Sequence, residues 1–218
     1  MKSADNRPMR LSRLIKLSRV LAYRTILRLR LRNTAPTIIA NNCTAGMIYH
    51  DLGLKFCSPT INLYFEPEDY WKFLRSLEYY VRCIPEPVTD DAHPFPVGVL
   101  RKEEEEVMVY FMHYSSFEEA REKWVERGSR VNMENLYVLW EYPFALREND
   151  EVWWRFRSLA FRHKRMLTDP VDFSDAEVIP FRIYGEDYYP GKILSYMPGQ
   201  AGKRYLNQFD YVQFLNQK

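Results

Sequence analysis

Glycine is scarce, 8 residues in 218, and none of it forms a phosphate-cradling loop. Neither G-x-G-x-x-G nor the P-loop pattern occurs, so a dinucleotide-binding or P-loop enzyme is excluded at the level of its motif. The chain also has no H-E-x-x-H, no paired Cys or His at metal-ligand spacing, no G-x-S-x-G elbow and no D-x-D. No metal is therefore expected. Cysteine is sparse as well. Cys43, Cys57 and Cys83 are an odd number in a chain large enough to fold without staples, which predicts reduced thiols in a cytosolic setting. Apolar runs fall short of the roughly 18 to 20 residues that cross a bilayer. The N-terminus lacks the uncharged core and cleavage site of a secretory signal, so export is not expected.

What is present is unevenly charged. Residues 1–32 hold ten Lys or Arg against one acid, Asp5; the rest carries 21 bases and 28 acids. The body is mildly acidic, so nucleic acid is not an expected partner. The first 34 residues read as a basic amphipathic helix and tail, followed by a single α/β domain over 35–218. Leu11, Leu14, Ile15, Leu17, Leu21 and Ala22 share one side of that helix, and Arg13, Lys16, Arg19 and Val20 the other. Two readings stay open: a helix lying on an anionic membrane surface, or one docked on the body with its basic side solvated.

The chemistry is expected at Thr37 to Thr60. A short apolar strand, Thr37 to Ala40, breaks at Asn41-Asn42-Cys43 and enters a helix over Met47 to Leu52. A cysteine at such a corner meets unpaired backbone N–H groups and the positive helix end, which would favour a thiolate, with Asn42 as N-cap. The competing reading has Cys43 merely packing. A second strand follows at Thr60 to Phe65, then a helix from about Asp69 to Arg82. The Asp90-Asp91-x-His93 cluster is a weak metal pattern.

Val107 to Tyr114 is a nearly continuous apolar run and predicts a buried strand of a parallel sheet ending in His113. Ser116 and Glu119 form a capping-box pattern for the helix that follows. Open α/β sheets place ligands at the carboxyl ends of their strands. The sharpest hypothesis is therefore Cys43 as nucleophile with His113 as base, and Asn41 or the N–H groups of Thr44 and Ala45 holding an oxyanion. His50 is the next candidate base. Lys123, Arg127 and Arg130 could grip a phosphate-bearing donor or glycan precursor, or could equally be a solvated helix face. Further strands are expected at 136–141 and 164–168 and a helix at 150–162.

The runs N-N-C-x-x-G-x-I-Y (Asn41 to Tyr49), S-P-T-I-N-L (Ser58 to Leu63), His113-Tyr114, K-W-x-x-R (Lys123 to Arg127) and R-x-N-x-x-N (Arg130 to Asn135) occur in order. Together they resemble the bacterial family called domain of unknown function nineteen-nineteen, whose members are often labelled exopolysaccharide biosynthesis proteins. Thr44-Ala45 stands where that family usually has Trp-Gly. The resemblance implies a three-layer α/β sandwich with a mainly parallel sheet, a role in surface polysaccharide assembly, and Ser58, Tyr114, Asn132 and Asn135 as further binding candidates. A bacterial family leaves no place for the organellar transit peptide that an Arg-rich start could otherwise be.

The resulting expectation is a transferase in exopolysaccharide or capsule assembly, cytoplasmic or peripheral on the inner membrane. It would move an acyl group from an acyl-CoA-type donor through Cys43 to a sugar. The alternatives are a non-catalytic glycan-binding or scaffolding subunit and a glycosyltransferase.

Overall fold

Two short segments, 37–40 and 136–142, are largely apolar on both faces, the pattern of parallel strands that must be covered twice, and two more, 164–168 and 178–180, join them. In the computed structural model, which describes residues 11–185, 187–200 and 202–217, they pair side by side. The parallel sheet runs β1 (Thr37–Ala40), β5 (Leu136–Tyr142), β6 (Lys164–Thr168), β7 (Val178–Pro180) in that order. Ile38, Ala40, Tyr137, Leu139 and Leu167 face one cluster, and Ile39, Val138, Trp140, Met166 and Val178 the other. The first cluster is closed by α2 (Thr44–Leu52), Leu27 of α1 (Leu11–Arg30) and the C-terminal segment through α7 (Tyr211–Leu215). The second is closed by α3 (Pro67–Arg75), α4 (Leu77–Tyr80), α5 (Phe117–Gly128), α6 (Glu151–Ser158) and an antiparallel sheet of β2 (Glu86–Val88), β3 (Val97–Lys102) and β4 (Glu105–Tyr110). The expected mainly parallel three-layer α/β arrangement is present.

Three local readings are corrected. The run ending in His113 belongs to the antiparallel sheet: β4 pairs with β3, Val107 and Val109 point inward, and the strand stops at Tyr110. Residues 60–65 are not a ladder strand. They run along the free edge of β1, where Ala40 N–H donates to Thr60 Oγ1 at 3.1 Å and Phe65 N–H to the Asn41 carbonyl at 2.9 Å. Tyr64 then exchanges backbone hydrogen bonds with Tyr110, so this segment seals β1 and ties the two sheets together. The helix expected over 69–82 breaks at Ser76, whose extended φ of −126° ends α3.

Two buried details fix the layers. Lys164 turns its ammonium under the end of α6, donating to the Phe156, Arg157 and Leu159 carbonyls at 3.0, 2.7 and 2.8 Å, where a helix has unpaired acceptors. A Cβ on Gly128 would lie 2.4 Å from the Val81 carbonyl oxygen, so only glycine lets α5 approach α4 so closely. Of the residues predicted for the N-terminal segment, 1–10 and the side chains of Leu11, Arg13 and Lys16 lie outside the described residues.

Candidate functional site

All four parallel strands end at one edge, and the chain leaving β1 and β5 there is polar but buried. Asn41 continues the ladder with its side chain: Nδ2 donates to the Glu141 carbonyl at 2.9 Å and Oδ1 accepts from Glu141 N–H at 2.8 Å. That bond pair aligns the ends of β1 and β5. Asn42 turns the corner into α2, its Oδ1 accepting from Thr44 N–H at 3.0 Å and Thr44 Oγ1 at 2.7 Å. Its Nδ2 donates to the Glu141 carboxylate. The N-cap position itself falls to Cys43 rather than to the expected Asn42, whose one amide, a residue earlier, satisfies the first N–H of α2 and holds a carboxyl.

Glu141 is 3% exposed, with no cation paired to it among the described contacts. Its other oxygen accepts from Gly191 N–H at 2.9 Å, and Thr44 Oγ1 stands 3.5 Å from the first. Neutral donors soften but do not cancel the loss of water, and burial pushes its pKa up to about 7. Beside it lies the buried Tyr188 hydroxyl, close enough to the Glu141 carboxyl for the two to influence each other but short of full hydrogen-bonding geometry. Burial, then the Glu141 charge, then Asp169 hold Tyr188 firmly in its protonated form.

Cys43 sits at the start of α2, partly exposed, its side chain capping nothing. Burial, reinforced by the Glu141 charge, raises its thiol to about 11. The resting group is therefore a thiol. The expected thiolate does not form because a neighbouring carboxyl and lost water outweigh the helix end. Thr44 N–H, assigned to an oxyanion, is already taken by Asn42.

The other predicted residues divide by location. His113 is exposed beyond β4, its N–H on the Asn62 carbonyl at 3.3 Å, and the ionisable groups near Cys43 are Glu141 and Tyr114 instead. His50 is exposed beside Asp51, at 3.4 Å. Ser58 is buried and bonded to Thr60 Oγ1 at 2.9 Å, bracing the segment along β1. Tyr114 accepts from Arg127 at 2.6 Å and donates to the Ile61 carbonyl at 2.9 Å. Arg130 donates to the Phe56 carbonyl at 3.1 Å and pairs with Glu126, as does Lys123. Lys123 and Arg130 share Glu126 on α5, and Arg127 and Arg130 tie α5 to the 56–62 segment through Tyr114 and the Phe56 carbonyl, so each of the three cations has a partner within the chain.

Asn132 and Asn135 lie at the opposite, amino edge of the sheet, just before β5. Asn132 accepts from Glu134 N–H at 3.0 Å, and its own N–H donates to Thr37 Oγ1 at 2.9 Å. Asn135 is matched to Asn33 by two bonds of 2.7 and 3.0 Å. His93 bonds Asp90 at 2.8 Å, and no metal-ligand group of three occurs among the described residues.

Glu141, Asp169 and Tyr188 were not singled out by sequence. The usable signal for Glu141 was a lone carboxylate closing the otherwise apolar strand LYVLWEY, where a buried strand has no water to offer it. Tyr188 and Asp169 come from a stretch without periodicity.

Comparison with known proteins agrees with the motif set. The family described as "Domain of unknown function (DUF1919)" matches residues 16–216. An "Uncharacterized protein" of Haemophilus influenzae is 32% identical over 203 residues, covering 92% of this chain and 93% of the relative.

Proposed function

The chain belongs to the family described as Domain of unknown function (DUF1919), and from that premise we propose that it is a group-transfer enzyme of polysaccharide assembly. Its reaction centre is the corner formed by Asn42, Cys43, Thr44 and Glu141. Cys43 is the acyl acceptor, and Glu141 takes the part of the base that the sequence pattern gave to His113. The observation that carries the reading is the buried Glu141 carboxyl, poised near neutrality beside a protonated thiol at a strand-end edge. The polysaccharide setting rests on the motif resemblance alone.

In this reading an acyl thioester donor is attacked by Sγ of Cys43. The new carbon–sulfur bond forms, the donor's breaks, and the Cys43 proton passes through Glu141 to the departing donor sulfur. A sugar hydroxyl then attacks the acyl-cysteine. Its proton passes through Glu141 back to Cys43, which is regenerated. A carboxyl with a pKa near 7 suits both transfers, since it carries or releases a proton at little cost at neutral pH. The enzyme works in the cytoplasm or resting on the inner membrane face; among the described residues no helix is long and apolar enough to cross a membrane.

The test is a trapped intermediate. Incubating the full chain with acetyl-CoA and, separately, p-nitrophenyl acetate, then quenching in acid and mapping peptides by mass, should place an acetyl group on Cys43 and not on Cys57 or Cys83. Glu141→Gln should slow adduct formation by at least about tenfold, within the usual span of general-base effects. A folded wild type that gains no adduct on Cys43 from either donor would overturn covalent transfer and leave a non-catalytic glycan-binding subunit.

A further inference from the structure

The N-terminal helix docks the opposite way round from a simple amphipathic helix. Its body-facing stripe is Val20, Tyr23, Arg24, Leu27 and the following Leu31, with Val20 and Leu27 buried. Arg24 pairs with Asp51 at 2.7 Å, Arg28 Nε donates to the Asp51 carbonyl at 3.0 Å, and Arg30 pairs with Asp210. Gly202 meets the helix so closely that a Cβ there would sit 3.0 Å from the Val20 nitrogen. The helix is thus clamped along one side.

The other side is apolar and uncovered. Leu14, Leu17, Leu21, Ile26 and Leu29 are between 43% and 81% exposed, a concentration of large apolar groups that a lone soluble surface rarely carries. Residues 11–30 hold six Lys or Arg and no acid. With that many charges the helix cannot cross a bilayer, but it can lie on one.

We propose that this outward face of α1 docks on an anionic lipid surface, with Leu14, Leu21 and Leu29 inserting among the acyl chains while the exposed Arg19 meets the headgroups. Charge selects this occupant over a second copy of the chain. Two such helices face to face would align cations with cations, whereas an anionic leaflet complements them. The inference draws nothing from the thiol site and stands or falls separately from it.

The experiment is co-sedimentation of the full chain with vesicles of phosphatidylglycerol and phosphatidylcholine in equal parts, against phosphatidylcholine alone. Gel filtration runs alongside. Wild type should pellet with the anionic vesicles, and half-molar salt should weaken that binding. Leu21→Glu/Leu29→Glu should reduce binding at least about tenfold with the near-UV circular dichroism unchanged. Leu29→Gln, milder and on an 81% exposed side chain, should reduce it partly and serves if the double variant misfolds. Equal binding to both vesicle types, binding that survives the substitutions, or no binding at all would overturn the proposal. So would a wild-type dimer that Leu29→Gln dissociates and that ignores vesicles, which would assign the face to a second copy.

Discussion

The two edges of the parallel sheet are built from the same side chains and do opposite things with them. At the amino edge, Asn33 and Asn135 satisfy each other, and the single Tyr137 O–H is shared between the Leu215 and Gln217 carbonyls, 2.9 and 2.8 Å away. The asparagines there are matched by neutral partners, while the titratable neighbour, His163, stacks on the Tyr137 ring and is held neutral by burial and by Arg162. At the carboxyl edge, Asn41 and Asn42 are spent on the backbone and carboxyl of Glu141. A carboxyl surrounded by neutral donors keeps a raised pKa, and its charge in turn keeps Cys43 protonated. Asparagine clusters alone therefore do not mark a site; an uncompensated titratable group does.

This contrast can be broken most forcefully at Glu141. Its pKa is about 4.5 when exposed and about 7 in the fold. Below about 4.5 the group is neutral in both states. Between the two values the unfolded chain loses the proton while the folded one keeps it, so stability falls as pH rises, and above about 7 the loss is complete. The span is on the order of 3 kcal/mol. Denaturant melts at pH 4.5 and pH 8 should show Glu141→Gln gaining roughly that much on wild type over the interval. The comparison concerns the slope, since an amide facing Asn42 adds a constant offset. Parallel pH profiles for the two proteins would put Glu141 in the ordinary carboxyl range.

At the amino edge the smaller effect is expected. Asn135→Leu removes both bonds to Asn33, which keeps its bonds to the Tyr137 hydroxyl and the Leu215 carbonyl, and takes from the Ala35 carbonyl the Asn135 Nδ2 that now serves it at 2.9 Å. The loss should be about 2 kcal/mol, flat between pH 4.5 and pH 8, with Cys43 acetylation unchanged. A change in Cys43 reactivity would mean the two edges are coupled through β5.

Much of this molecule was legible in the sequence where local rules act alone. The strands at 37–40 and 136–142 are dense in apolar residues, a strand stands at 164–168 as expected, and Ser116 caps α5 as the pattern predicted, accepting from Glu119 N–H at 3.2 Å. What failed needed partners. Val107 to Tyr114 is apolar enough for a parallel strand, yet an antiparallel strand with a helix packed on one side carries the same residues. His113 moved off the central sheet with it. Of the two readings of α1, docking on the body is present but not by the side expected: Gly202, Asp51 and Asp210, distant in sequence, capture the Val20–Arg24 side instead of the leucine-rich one. The lone carboxylate of Glu141 was a weak signal because a glutamate at a strand end is solvated in most sheets, and its burial depends on the distant Tyr188 and Gly191 returning over that edge beside Asn42 and Thr44.

The most direct measurement is a carbon-detected NMR titration of the Glu141 side-chain carboxyl from pH 4 to pH 9, assigned by its disappearance in Glu141→Gln. The account predicts a midpoint near 7, with the Cys43 β-carbon shift responding at the same pH as the neighbouring charge appears. A midpoint near 4.5 with a silent Cys43 would contradict it, because the carbonyl-attacking thiol would then have no base.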